Sequence, residues 1–309
     1  MFGGKGGLGK TTFSAATAFW LAKRGFKVLI FSVDPQASLS DIFQRDIFGK
    51  DAQEIIPNLF AQEIDADRRI KEYQDEIRNK IREKYGLEEI PEEIESYIQA
   101  ASAEPAMEES AIFDAVVDIV NTTDFDYYIY DLVPLGHALY YLAMSSIYDQ
   151  WINKITSLRE EMQRYEKVIA KMKSEEVKEE DEILQELEYI KRRINLASNV
   201  FTDKEKTAFF FVLTPEEMSI IDTEKAANLF SRYGVPITGF IVNRVLPQEL
   251  KKGNIPEYLK NRIIAQERPL AKIREKFGKE VLGWIPELER DITGLEMIER
   301  MARIMFGDD

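Results

Sequence analysis

The sequence predicts an α/β fold, a mostly parallel sheet flanked by helices on both faces. Three observations carry that expectation: short apolar runs recur along the chain, they are apolar at consecutive positions as in strands buried on both faces, and segments of helical periodicity separate them. The runs are Val28–Val33, Leu59–Ile64, Tyr127–Tyr130, Ala208–Leu213, Gly239–Val242 and Val281–Ile285. The first helix covers Thr12–Arg24, with Phe13, Ala16, Phe19 and Trp20 on one side and Gly25 as its stop. Thr223–Tyr233 and Ile292–Met305 show the same periodicity.

Two stretches break the alternation. Asp67–Tyr85 is a charged amphipathic helix with Ile70, Tyr73, Ile77 and Ile81 along one face, stopped by Gly86. A shorter helix starts at Pro91 and carries Ile94, Tyr97 and Ile98. His137–Val200 reads as helical throughout. Met162, Tyr165, Ile169 and Met172 form one stripe and Ile183, Leu187, Ile190 and Ile194 another, with the charged Lys173–Glu182 between them. Such stripes either fold into an antiparallel hairpin with a solvated tip or pack on the main core.

Composition sets outer limits. The 309 residues are 45% hydrophobic, enough for a large core, and carry 41 Lys and Arg against 55 Asp and Glu, a formal net charge of −14. That surface repels a phosphate backbone, so no nucleic-acid partner is expected. With no Cys, the chain lacks disulfides, thiolate zinc sites, iron–sulfur ligation and cysteine nucleophiles. His137 is the one histidine, which excludes clustered imidazole sites. No apolar run reaches the roughly 18 residues of a bilayer span. The start, Met1-Phe2-Gly3-Gly4-Lys5, lacks the apolar stretch of a signal peptide, and a cytoplasmic protein is expected.

Chemistry concentrates near that start. Gly4-Lys5-Gly6-Gly7-Leu8-Gly9-Lys10-Thr11 fits the phosphate-loop pattern G-x-x-x-x-G-K-[ST]. Glycines let backbone N–H groups turn inward around an anion, and the helix that follows offers its positive end. In this pattern Lys10 neutralises the β- and γ-phosphates of ATP, the Thr11 hydroxyl ligates Mg²⁺, and Thr12 reaches the α-phosphate. Two carboxylates follow buried runs, Asp34 after Val28–Val33 and Asp131 after Tyr127–Tyr130, where a parallel sheet places its ligands. Asp131 would hold Mg²⁺ through water and Asp34 would orient the attacking water; a helix-cap or turn carboxylate is the alternative for either alone.

Lys5, a second lysine inside the loop, resembles the extra lysine of the deviant phosphate-loop class, K-G-G-x-G-K-[ST]. That resemblance implies a lysine reaching across a homodimer to the partner's nucleotide, in the manner of an arginine finger. Further motifs resemble the ArsA-type ATPases, the arsenical-pump ATPases and the targeting factors for tail-anchored membrane proteins. Asp34-Pro35 through Ser38-Leu39-Ser40-Asp41 is similar to that family's switch I, and Asp131-Leu132-Val133-Pro134-Leu135-Gly136-His137 to its switch II. Thr214-Pro215-Glu216-Glu217 with Ser219 and Asp222-Thr223-Glu224 resembles its P-E-x-x-S…E-T segment. Asn243-Arg244-Val245-Leu246-Pro247 resembles its V-N-[KR]-x-x-P element, which implies that the Asn243 amide pairs with adenine, and Ile285-Pro286 would begin the adenine-side loop.

The resemblance implies a phosphate-loop NTPase fold with an inserted helical subdomain. The expected ATPase domain combines residues 1–66, 105–136 and 203–309. The helical effector part combines 67–104 and 137–202, with a coiled-coil hairpin at 158–200. Gln36-Ala37 and Leu132-Val133 depart from the family pattern and bear on switching. The family also has a buried strand ahead of the loop, whereas Met1-Phe2 alone precede Gly3 here. A misassigned or truncated start, a disordered or rearranged loop and weak nucleotide affinity are therefore expected, because a missing mid-sheet strand leaves ladder hydrogen bonds unmade.

For function, the resemblance implies a Mg²⁺-dependent, ATP-hydrolysing homodimer. Without Cys it has neither the thiols of metalloid sensing nor the C-x-x-C zinc pair of eukaryotic targeting factors. Leu139, Leu142, Ala143, Met144, Ile147, Trp151 and Ile155 form an apolar face just after switch II, either for a hydrophobic membrane-protein segment or for core packing. Three readings stay open: a targeting switch for tail-anchored proteins, the ATPase subunit of an arsenite or anion efflux pump acting on a membrane pump subunit, and a partitioning-type ATPase. The third calls for a basic surface or an amphipathic terminal helix, and the ending Arg303-Ile304-Met305-Phe306-Gly307-Asp308-Asp309 is short and acidic for that.

Overall fold

Eight strands form one sheet: β1 (Phe2–Gly3), β2 (Val28–Ser32), β3 (Gln53–Ile56), β4 (Leu59–Glu63), β5 (Tyr127–Asp131), β6 (Phe210–Leu213), β7 (Gly239–Val245) and β8 (Val281–Pro286). The computed structural model describes residues 1–33, 36–102, 112, 115–121, 123–132, 153–162, 164–165, 182–232 and 234–307. The strand order is β3-β4-β2-β5-β1-β6-β7-β8, parallel throughout except for the β3–β4 pair. β1 is therefore central. After it the chain builds first the β2 side of the sheet and then the β6 side, so a topological switch point, where open α/β sheets bind ligands, lies at its carboxyl end.

Successive side chains of the inner strands enter opposite cores, as strand geometry requires. Val28 and Ile30 join one buried cluster, Leu29 and Phe31 the other; Val212 and Ile241 lie on the first face, Phe211, Leu213, Phe240 and Val242 on the second. The helices are α1 (Lys10–Lys23), α2 (Ser38–Phe43), α3 (Ala66–Tyr85), α4 (Glu92–Ser102), α5 (Glu182–Thr202), α6 (Glu217–Arg232), α7 (Glu257–Phe277) and α8 (Gly294–Phe306). α1 and α8 cover the first face through Phe13, Phe19, Ile298 and Met301. α6 and α7 cover the second through Phe230, Ile273 and Phe277. Helices thus flank both faces, as the sequence predicts.

Some boundaries differ from expectation. Val281–Ile285 is not buried on both faces: β8 is an edge strand whose Leu282 and Trp284 are exposed. α6 starts at Glu217 rather than Thr223, because the Ser219 hydroxyl accepts from Thr214 N–H at 3.0 Å and tightens the turn out of β6. β1 also answers the concern about a missing central strand. It is short, yet Phe2 O accepts from Leu132 N–H at 3.2 Å and Met1 O from Phe210 N–H at 2.9 Å, so both neighbours keep ladder partners. Phe2 and Phe210 stack with ring centroids 5.2 Å apart.

In the helical part, α3 is pinned to α4 by the Arg78 guanidinium, which meets Glu95 at 2.6 and 3.0 Å; the carboxylate raises the guanidinium's pKa and is itself held below its usual range. Lys191 on α5 donates to Asn153 Oδ1 at 2.6 Å, joining α5 to the helical stretch at 153–162. The expected hairpin tip, residues 173–182, lies outside the described residues save for Glu182, as do switch II beyond Leu132 and most of the apolar face at 139–155.

Candidate functional site

The loop between β1 and α1 is a defined turn that runs straight into the helix. Gly4, Gly7 and Gly9 have φ of 151°, 73° and 101°, in the region that disfavours side chains. Space is equally limiting at two of them. A Cβ on Gly4 would sit 2.5 Å from Val212 O, and one on Gly9 would sit 2.6 Å from Asn243 Nδ2, whereas at Gly7 nothing lies within 4 Å. The loop is thus braced by β6 and β7 at its ends and open at its middle, where a phosphate would approach.

α1 opens with an uncapped end. Its N-cap is Gly9, which has no side chain to bond the first-turn N–H groups, and no acidic residue lies in that turn. The first-turn N–H groups and the positive end of the macrodipole therefore face the loop. Lys10, in that first turn, is buried, with Nζ donating to Lys5 O at 3.3 Å. Thr11 and Thr12 follow it, half-buried. Backbone donors, an open glycine cradle and a buried lysine fit a phosphate group.

Asp131 is 2% exposed at the carboxyl end of β5. The Ser14 hydroxyl lies 3.1 Å from Asp131 Oδ1 and 3.0 Å from Lys10 O, sharing its proton between them, and Ser32 Oγ donates to Asp131 O at 3.2 Å. Ser14 thereby links the carboxylate to the helix that carries Lys10 and Thr11. One carboxylate and one hydroxyl suit Mg²⁺, which keeps most of its water shell. Among the described residues no cluster of three or more acidic or imidazole groups would hold a metal by protein ligands alone.

Other predicted site residues are placed differently. Asn243 is buried but its Nδ2 donates to Leu8 O at 2.8 Å and its Oδ1 accepts from Arg244 N–H at 2.9 Å. The amide expected to meet adenine is thus engaged with the loop, keeping one further N–H and one lone pair. Pro286 pairs with Val245 across β7 and β8, and the adjacent Glu287 N–H donates to Val245 O at 3.1 Å. Lys5 forms an ion pair with Asp222 of α6 at 3.2 Å, and Gly6 is exposed. Asp34 and Pro35 lie outside the described residues.

Glu63 and Ser14 were not singled out in the sequence, and Asp222 entered only as part of the P-E-x-x-S…E-T segment. For Glu63 a signal exists. Leu59, Ala61 and Glu63 alternate along β4, and a carboxylate in the third inward position of a strand is out of character there. Its carboxylate accepts from Leu39 N–H at 2.5 Å, from Ser40 N–H at 3.1 Å and from the Ser40 hydroxyl. Burial pushes the carboxyl up from its ordinary value, against these three hydrogen bonds.

A glycine cradle before an uncapped helix, at the switch point of a mostly parallel sheet with a buried carboxylate on the neighbouring strand, defines a phosphate-loop NTPase of the α/β type. Residues 1–307 match the family described as anion-transporting ATPase, ArsA type, and the chain belongs to that family. A protein of Aquifex aeolicus named as an arsenical pump-driving ATPase is 31% identical over 306 residues, covering 98% of this chain and 97% of that protein. The ATPase GET3C of Arabidopsis thaliana is 28% identical over 322 residues, covering 97% and 76%. An arsenical pump-driving homologue of Halobacterium salinarum is 29% identical over 310 residues, of which the present chain spans 44% of the length.

Proposed function

We propose that this protein is an ATP-hydrolysing homodimeric switch that binds hydrophobic segments of membrane proteins for targeting. The observation that carries the hydrolytic part is the open cradle at Gly7 in front of the uncapped α1, with Lys10 and Asp131 linked through Ser14. In this reading Gly4, Gly6, Gly7, Leu8 and Gly9 supply backbone N–H groups to the phosphates, Lys10 neutralises the β- and γ-oxygens and Thr12 contacts the α-phosphate. Thr11 and, through water, Asp131 hold Mg²⁺, which when bound offsets charge on the β- and γ-phosphates. Asp34 orients the attacking water, Asn243 and Pro286 border adenine, and Lys5 serves the partner's nucleotide. The ATPase domain and helical effector part divide as the sequence suggests.

Targeting is favoured by the kinship with the ATPase GET3C and by the apolar residues that follow the switch II sequence. Among the described residues no helix is long and apolar enough to cross a membrane, and we place the protein in the cytoplasm, where it would meet ATP and its client. The second reading, an ATPase subunit of an anion pump, draws on the relatives named as arsenical pump-driving; the lack of Cys requires any such pump to work without thiol metalloid sites. A partitioning role is not favoured, because α8 buries its apolar face on α1 through Ile298, Met301 and Ala302 instead of presenting it to a membrane.

The test is co-purification of a transmembrane peptide with release on ATP hydrolysis. Recovery of a membrane pump subunit in place of such a peptide would select the pump reading. Absence of any ATP turnover would remove both.

A further inference from the structure

Glu63 is a buried carboxylate that the reading above leaves without a task. It is 1% exposed, at the end of β4, and it receives three hydrogen bonds from one short element, α2. Ser40 Oγ, while donating to Glu63, also accepts from Ile47 N–H at 3.1 Å beyond the end of α2. One carboxylate therefore ties both the first turn of α2 and the chain that leaves it to the end of β4.

α2 needs such a hold. It has six residues, too few to persist as a helix by local hydrogen bonding. Its N-cap is Ala37, which has no side chain to bond the first-turn N–H groups. Ala37 and Gln44, at its two ends, have φ of 51° and 54°, and non-glycine residues keep that conformation only where surrounding contacts over-determine it. Glu63 supplies the missing cap from a different strand. The phosphate loop, by contrast, is held by other contacts: Leu8 O by Asn243, Lys10 by Lys5 O, and the start of α1 by Ser14 and Asp131.

We propose that Glu63 is the positioning residue of switch I: its carboxylate fixes α2, the element that follows Asp34 in the sequence, for the hydrolytic step and not for nucleotide capture. This rests on the ATPase reading above. The geometry sorts the two steps, since the hydrogen bonds that brace the loop come from Lys5, Ser14 and Asn243, whereas α2 meets α1 through the apolar side chains of Leu39, Ile42 and Phe43. Removing the carboxylate frees α2 and leaves the cradle intact.

The experiment compares the full chain with Glu63→Gln and Ser40→Ala. Bound fluorescent ATP analogue gives Kd, steady-state phosphate release gives kcat, and amide hydrogen exchange reads Leu39 and Ser40 in nucleotide-free protein. Glu63→Gln, which cannot accept from all three donors, is expected to lower kcat about tenfold or more with Kd within about threefold. Ser40→Ala, which keeps the backbone N–H bonds, is expected to fall between it and the parent. Both variants should speed exchange at Leu39 and Ser40 while exchange at the start of α1 stays as in the parent. Unchanged kcat in Glu63→Gln, or equal losses in kcat and affinity, overturns the proposal. If the parent itself hydrolyses no ATP, the ATPase reading fails, and the exchange pattern still decides whether Glu63 holds α2: unchanged protection at Leu39 and Ser40 overturns that.

Discussion

Lys5 Nζ lies 3.2 Å from Asp222 Oδ2, which holds the second lysine of the phosphate loop against α6 of its own chain. Both side chains are partly in solvent, 52% and 33% exposed, so the pair is worth no more than about 0.2–1 kcal/mol. A contact that weak is readily exchanged for another. If Lys5 serves the partner's nucleotide, Lys5→Ala should reduce turnover by about a hundredfold or more, while Asp222→Asn, which releases the lysine, should leave turnover at the parent value or above it. Neither should move stability by more than about 0.5 kcal/mol. Phosphate-release assays beside thermal melts decide this. Equal turnover in parent and Lys5→Ala would reduce the lysine to a surface charge.

Gly9 and Gly7 should respond differently to the same substitution. At Gly9 an alanine meets both a φ of 101° and the Asn243 amide, whose bond to Leu8 O must then break. Strain of about 1–2 kcal/mol and a lost buried hydrogen bond of about 1 kcal/mol predict a destabilisation on the order of 2–3 kcal/mol. At Gly7 there is space for the methyl group, and the backbone penalty alone is about 1–2 kcal/mol. Its methyl group would enter the open part of the cradle. Urea midpoints should therefore fall further for Gly9→Ala, whereas both variants should lose nucleotide binding. Equal urea midpoints would show that Asn243 does not brace the loop.

Glu63 should also leave a mark on the pH dependence of stability. Its carboxyl titrates above the ordinary 4.5 in the folded protein because burial disfavours the charge. The folded state then binds this proton more tightly than the unfolded chain. Its contribution is fully present below the unfolded value and is lost as pH rises through the folded one. Glu63→Gln carries no such titration. The stability of the parent relative to this variant should thus be highest at about pH 4 and decline as pH is raised towards neutrality, as read from urea unfolding of both proteins across that range. A difference that grows with pH would mean the three hydrogen bonds outweigh burial and the carboxyl titrates below its ordinary value.

The fold was largely legible because buried strands and amphipathic helices announce themselves by period, and Val28–Val33 and Thr12–Arg24 came out nearly as the structure has them. β3 was missed because its residues are mostly exposed, although Pro57-Asn58 ahead of Leu59 carries a turn signal and Asn58 has φ of 71°. α7 was overlooked despite Ile263, Leu270, Ile273 and Phe277 lying on one buried face, since charged residues dominate the rest of its length. For the candidate site, motif spacing pointed to the loop and to Asp131, which the structure sets beside each other on β1 and β5. It could not show that Asn243 spends its amide on Leu8, or that a carboxylate from β4 caps α2, because both are contacts between residues far apart in the chain.

The proposed dimer switch makes the most direct demand on Asp34. If this carboxylate orients water and does not bind nucleotide, Asp34→Asn should retain ATP affinity, lose hydrolysis by at least about a hundredfold, and accumulate the ATP-bound state. Light scattering after gel filtration should then find the variant at twice the protomer mass with ATP and at protomer mass without ligand, while the parent returns to protomer mass as its ATP is consumed. Lys10→Ala, which removes charge from the cradle, should stay at protomer mass under every condition. β1 has ladder partners on both sides despite its length, and the proposed ATP binding depends on it. Millimolar-only ATP binding by the parent would show that two residues of strand do not suffice to set the cradle. Tight binding with no change of mass would leave an ATPase that works without the dimer cycle, and Lys5 would then have no partner's nucleotide to reach.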